Sequence, residues 1–274
     1  MSRLGLLGGA LLIGLGLDCA RSPRSDEARD EPREESSTTT TSAAPTTTDD
    51  DDPFGPAAPP SSTEPLAPGT RYALLAPKAC LAELTARGIA HEALAPRLGI
   101  TTPVRLRGKL GGVSFRTLWP EAERARTSYE IIDCRLVLAL NDFAPILRTH
   151  GIVDVMFFSA YRPPPAGWTE SQASSVHRHE AGLAIDIGYF RKADGSALNV
   201  ERDFMPRAGE RERICAKGPP LKTATMDALE LRKLACEARD ARLFHVTLTP
   251  AYDAIHRDHF HLELAPDKTD FVAR

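Results

Sequence analysis

The 274-residue chain has no Cys-x-x-Cys pair, no apolar run as long as 18 residues and no excess of positive charge. Each absence excludes something. Without paired cysteines a finger-type zinc site has nothing to build on. The run from Leu4 to Leu17 is shorter than the roughly 18 to 20 residues that a membrane-spanning helix needs. With 34 basic residues against 37 acidic ones, the net charge of −3 gives no reason to expect a nucleic-acid partner.

What the N-terminus does have is Arg3 followed by that short apolar run. This order matches the n- and h-regions of an export signal over residues 1–20, with a shortened membrane anchor as the plainer alternative. Cys19 follows almost directly and raises a lipoprotein-type N-terminus, although Asp18 fits poorly where a small residue is expected. Any membrane attachment would be through this end only. Residues 21–70 then read as a disordered Thr/Pro/Asp-rich tether, with Ser36 to Thr41, Pro45 to Asp52 and Pro56 to Pro68 as its low-complexity stretches. Residues 71–274 are enough for one domain with a sizeable core.

Four cysteines fall in that domain: Cys80, Cys134, Cys215 and Cys236. Behind an export signal an even set reads as two disulfides in a secreted, periplasmic or envelope protein, and three pairings are possible. Cys80 with Cys134 and Cys215 with Cys236 is preferred, because each bond would then tie neighbouring elements.

Apolar periodicity predicts helices over 79–87, 131–147 and 226–239, and strands over 153–159, 183–190, 243–248 and 259–264. Gly111-Gly112 within 105–118 reads as the turn of a hairpin. Helices and strands that do not alternate regularly favour α+β with a mainly antiparallel sheet and flanking helices.

The chemistry concentrates in two segments. His179 and Asp186 are seven residues apart around Gly182, and an aspartate inside Leu-Ala-Ile-Asp-Ile is costly to bury unless a cation or donor compensates it. His259 and His261 are two apart, so on a strand both face one way. Two histidines and an aspartate form a ligand set for a hydrolytic Zn²⁺, which takes three protein ligands and keeps a fourth position for water. Of the other histidines, His91 and His150 read as capping or surface groups and His245 as a satisfied core residue.

Ser-Ala-Tyr-Arg-Pro at 159–163, His179-x-x-Gly182-x-Ala184-x-Asp186 and Asp258-x-x-His261 resemble the motifs of the D-Ala-D-Ala carboxypeptidase and dipeptidase superfamily, zinc peptidases of the Hedgehog/DD-peptidase fold. The run Ala254-x-His256-Arg257-Asp258-His259-Phe260-His261-Leu262 is closer still to the bacterial extensin-like C-terminal domain family. The resemblance covers about residues 75–265. It implies that His179, Asp186 and His261 are the zinc ligands and that Asp258 is the catalytic carboxylate. His259 competes for that role, since His256, His259 and His261 reproduce the His-x-x-His-x-His pattern of a related group of murein endopeptidases. Arg162 matches the arginine that steadies the polarised carbonyl oxygen; a structural ion pair at a strand end is the plainer reading. Where the peptidases carry a serine two residues before the first ligand, this chain has His177, a second candidate ligand that the spacing to Asp186 disfavours.

The expectation is therefore a secreted or envelope-anchored zinc peptidase acting on D-amino-acid-containing links of peptidoglycan or muropeptides. The alternative is a non-catalytic, metal-containing wall-binding domain. A closed set of four protein ligands would favour the second.

Overall fold

The computed structural model describes residues 65–175, 178–206, 210, 214–216 and 224–274. The chain divides into two units, Met1–Ser61 and Ser62–Arg274, and all described residues belong to the second. The export-type run, Cys19, the tether as far as residue 64, and His177 lie outside the described residues.

Two short helices come first, α1 (Pro68–Ala73) and α2 (Pro77–Ala86). Each starts on a proline, whose missing N–H costs nothing in a first turn. α1 lies partly within the last residues expected for the tether, and its Gly69 N–H bonds to the Arg242 carbonyl at 2.9 Å. Strands β1 (His91–Ala93) and β2 (Pro103–Leu106) follow, then β3 (Ser114–Thr117), a single turn α3 (Glu121–Arg124) and β4 (Ile131–Asp133). Next come α4 (Cys134–Thr149), β5 (Ile152–Ser159), α5 (Glu170–Ser175), β6 (Ala184–Lys192), β7 (Ala197–Asn199) and the short α6 (Val200–Asp203). The order closes with α7 (Met226–Asp240), β8 (Val246–Leu248), β9 (Phe260–Glu263) and β10 (Val272–Ala273).

The architecture is α+β. β1, β2 and β4 make a small antiparallel sheet. The large sheet runs β10-β8-β9-β6-β5-β3 with β7 on β6, and only its β3–β5 and β10–β8 pairs are parallel. α4 and α7 supply much of the core. Leu136, Val137, Leu140 and Phe143 of α4 and Leu231, Leu234 and Ala235 of α7 are buried in one cluster with Ile185, Ile187, Phe260 and Leu262 of the sheet. Each large apolar side chain so buried contributes about 1.5–3 kcal/mol. With alternate residues of β6 and β9 committed to that core, Asp186, His261 and Glu263 face the other side.

The expected hairpin over 105–118 does not form. Gly111 and Gly112 do turn, both at positive φ, but only Leu110 and Val113 pair across them. Beyond that bridge the two arms go to different sheets. β2 pairs with β1 and β4, and its Arg105 places its guanidinium on the Arg124 and Thr127 carbonyls. β3 pairs with β5, where Arg116 meets Asp154. The predicted helix over 131–147 also starts later, because Ile131–Asp133 is β4 and Asp133 caps α4 by accepting the Arg135 N–H at 3.0 Å.

Two disulfides form, Cys80–Cys134 between α2 and the start of α4, and Cys215–Cys236 onto α7. These are the preferred pairings, and they fit an oxidising compartment. Among the described residues no helix is long and apolar enough to cross a membrane.

Candidate metal centre

Sheet register assembles the site. Asp186 of β6 lies directly opposite His261 of β9 on one side and Ser159 of β5 on the other. His179 comes from the tight turn before β6, where Gly182 N–H bonds to the His179 carbonyl at 3.0 Å and Leu183 N–H to the Arg178 carbonyl at 2.8 Å. That turn needs a glycine at 182. Its φ is +64°, and a Cβ there would lie 2.4 Å from Ile100 Cδ1 and 3.0 Å from the Asp133 nitrogen. The backbone N–H of Arg162 also bonds to the His179 carbonyl, at 3.1 Å.

Three atoms converge. His179 Nε2 is 3.1 Å from Asp186 Oδ1, His261 Nδ1 is 3.0 Å from the same oxygen, and the two nitrogens are 3.2 Å apart. All three residues are buried. The far side of each ring fixes which nitrogen is turned inward. His179 Nδ1 lies 2.7 Å from the Ala160 carbonyl, which can only accept, so its proton sits there. His261 Nε2 lies 3.1 Å from Glu263 Oε2, a carboxylate that likewise accepts. With those tautomers both rings would turn a lone pair towards an anionic oxygen, an arrangement that a cation among the three atoms would relieve. A tetrahedral ion with bonds of 2.0–2.1 Å sets its ligands about 3.3 Å apart, close to the spacing seen here. The donor set fits a metal ion of zinc's size and preference.

Charge tells the same story. Burial would raise the Asp186 carboxyl, but the His179 and His261 rings packed against it outweigh this and hold that group far below the usual carboxylate range. Burial would lower His261, yet the Asp186 and Glu263 carboxylates push it up to about 9.

His259, immediately before β9, is also buried and turns its Nε2 to within 3.4 Å of Asp186 Oδ1. Its Nδ1 is held at 2.7 Å by Asp258 Oδ1. Burial lowers the pKa of His259, more than Asp186 and Asp258 raise it, so the ring tends to neutrality. Arg162 hydrogen-bonds to Asp186 Oδ2 and donates from Nε to Ser159 Oγ at 2.9 Å, with its side chain 47 % exposed. Arg162 is thus ion-paired to the carboxylate and open to the cleft at once.

The cleft around these groups has a volume of about 380 Å³. Two described clefts are larger, about 510 and 450 Å³, but His179, Asp186 and His261 line neither. Every residue expected at the site lines this one: His179, Asp186, His261, Asp258, His259 and Arg162. Of its other walls, His256 was named in sequence only within the His-x-x-His-x-His pattern, and Phe158 and Ile255 were missed. Phe158 lies over Gly188, where a Cβ would meet the ring at 2.5 Å, and its edge meets His259. His256 packs at a tilt beside His259 and is held by Asp253 at 2.7 Å. Ile255, 75 % exposed, forms the lip. Nothing local in the sequence marked Phe158 or Ile255.

The remaining histidines divide. His245 is fully buried, accepts the Ala265 N–H at 3.1 Å and stacks on Phe271. His150 caps α4 but is no surface group: its ring is buried between Glu237 at 2.8 Å and Glu230 at 3.4 Å, both on α7. Tyr161 packs inside, its hydroxyl on the Leu98 carbonyl.

An α+β domain that carries a buried His-Asp-His cluster on the open face of its sheet is the class defined so far. The chain belongs to the family described as extensin-like protein C-terminus, whose model matches residues 78–272 and so spans every residue of the cluster. No curated protein matches the chain, and no solved structure does.

Proposed function

We propose that this protein is a zinc-dependent peptidase that cuts D-amino-acid-containing peptide links of peptidoglycan outside the cytoplasm. The observation that carries the proposal is the convergence of three acceptor atoms, His179 Nε2, Asp186 Oδ1 and His261 Nδ1, beside a histidine already oriented by a carboxylate. The resemblance of these motifs to the D-Ala-D-Ala peptidases supports the substrate class, and the two disulfides support export.

His179, Asp186 and His261 would hold the ion. Zinc, when bound, supplies a Lewis acid and lowers the pKa of water towards neutrality. The chain's own residues do the rest. His259 Nε2 takes the proton of the attacking water, while Asp258 Oδ1 accepts the Nδ1–H and keeps the basic nitrogen aimed at the site. The same Nε2 then gives that proton to the leaving amine. Because Asp258 is spent on orienting the ring, the base is assigned to His259. Arg162 offers a fixed charge at the mouth of the cleft for the oxygen that becomes anionic.

His259 also motivates a second reading. His259 stands outside the three converging atoms, but with its Nε2 3.4 Å from Asp186 Oδ1 a shift of the ring would let it close the coordination as a fourth ligand, which would make a metal-stabilised wall-binding module.

Digestion of purified muropeptides, cross-linked and uncross-linked, by the zinc-loaded full-length chain separates the two. The peptidase reading expects new fragments whose masses name the bond, absent for His259→Ala with zinc still bound. One equivalent of bound zinc with no cleavage of either substrate would overturn it in favour of the binding module.

A further inference from the structure

We infer that Glu263 is a positioning residue of the metal centre, holding His261 in the tautomer that turns Nδ1 to the ion, and that Arg178 in turn holds Glu263. The inference rests on the metal reading above and extends it to groups outside the ligand set.

Glu263 follows His261 by two residues on β9 and so faces the same way. Across the neighbouring strands it is paired with Ala184 and Val246, small enough to leave its carboxylate room to fold back over the ligand. Its Oε2 then meets His261 Nε2 at 3.1 Å, while Oε1 faces Arg178 Nε at 3.5 Å and Lys268 Nζ at 4.0 Å. The side chains of Glu263 and Arg178 are only 14 % and 9 % exposed. A carboxylate so covered is costly unless both oxygens are partnered, and here an imidazole takes one and a guanidinium the other.

The consequence is chemical. An imidazole ligates through one nitrogen only if its proton sits on the other. At His179 that is secured by the main-chain carbonyl of Ala160, which no substitution at 160 removes. At His261 it depends on a side chain, so Glu263 is the replaceable half of the arrangement. A carboxylate on the far nitrogen also makes the near one a stronger ligand. Arg178 adjoins His179 in sequence and reaches Asp267 with its other end. The Arg178–Glu263 pair therefore ties together both segments that bear histidine ligands.

The test measures zinc affinity of the full-length chain by competition with a chromogenic chelator, together with the visible absorption of the cobalt-loaded protein. Glu263→Ala is expected to weaken zinc binding about 10- to 100-fold and to shift the cobalt bands. Glu263→Gln, which keeps an acceptor oxygen and the side-chain volume, should recover part of the loss and carries the test if the alanine variant does not fold. Arg178→Ala should weaken binding in the same direction, by less. Zinc affinity within about twofold of the native chain in the glutamine and alanine variants, with only the melting temperature lowered, would overturn the inference and leave the metal centre standing. A native chain that binds no zinc would overturn the metal reading and this inference with it.

Discussion

Asp258 Oδ1 holds His259 Nδ1 at 2.7 Å, and the opposite nitrogen of that ring stands 3.4 Å from Asp186 Oδ1. One carboxylate therefore aims a histidine at the carboxylate of the proposed ligand set. This makes the question of base or ligand one of distance and stoichiometry.

His259→Ala should lower muropeptide cleavage by about 10²- to 10⁴-fold while one equivalent of zinc stays bound. Asp258→Asn keeps the ring but weakens its anchor, and should give a smaller loss. Rate and bound metal are to be read on the same samples. Loss of zinc on His259→Ala would make that residue a fourth ligand.

Gly182→Ala should damage the centre without touching a ligand. The left-handed backbone at 182 alone costs about 1–2 kcal/mol for a residue with a side chain. The new methyl would also displace Ile100 or the turn that carries His179. Denaturant unfolding is expected to show a loss of at least that size, with weaker zinc binding. An unchanged midpoint and affinity would show that the turn relaxes freely.

The disulfides should differ in weight. Cys80–Cys134 spans 54 residues of sequence and Cys215–Cys236 spans 21. Chain-entropy arguments put their contributions at about 4 and about 3 kcal/mol. Paired Cys→Ala variants, compared by unfolding, should rank in that order.

Asp154 predicts a pH dependence remote from the metal. It is buried, which alone would raise its pKa, but hydrogen bonds from Arg116 and Arg191 more than offset this and lower it. A folded-state value below the unfolded one contributes stability that is fully present above about pH 4 and is lost as pH falls through the folded value. Asp154→Asn should therefore be less stable than the native chain at pH 7, and the gap should shrink towards pH 2. A gap of constant size would show that the carboxylate's charge is not what matters.

Asp154 also illustrates how far the sequence could be read. In the sequence it is the one charge within the apolar stretch 153–159, yet its partners sit on β3 and β6, which only the sheet order brings alongside. His179, Asp186 and His261 were legible because their spacing obeys local rules, the two-residue period of a strand and a glycine turn. The hairpin expected at Gly111-Gly112 does not form for the opposite reason: the turn is local, but each arm pairs with strands from elsewhere in the chain, β1 and β4 for one and β5 for the other. Glu263 was passed over because a glutamate near a strand end looks like solvent-facing charge until the Arg178 and His261 contacts are seen. Phe158 was hidden because its place depends on the missing side chain of Gly188 on the next strand.

The most direct test of the central claim is X-ray absorption at the zinc edge of the metal-loaded protein, native and His259→Ala. The account predicts two imidazole nitrogens, one carboxylate oxygen and one exchangeable oxygen, with no change on replacing His259. Three imidazoles in the native spectrum, falling to two in the variant, would contradict an open catalytic position, and no zinc bound at all would contradict the metal centre itself.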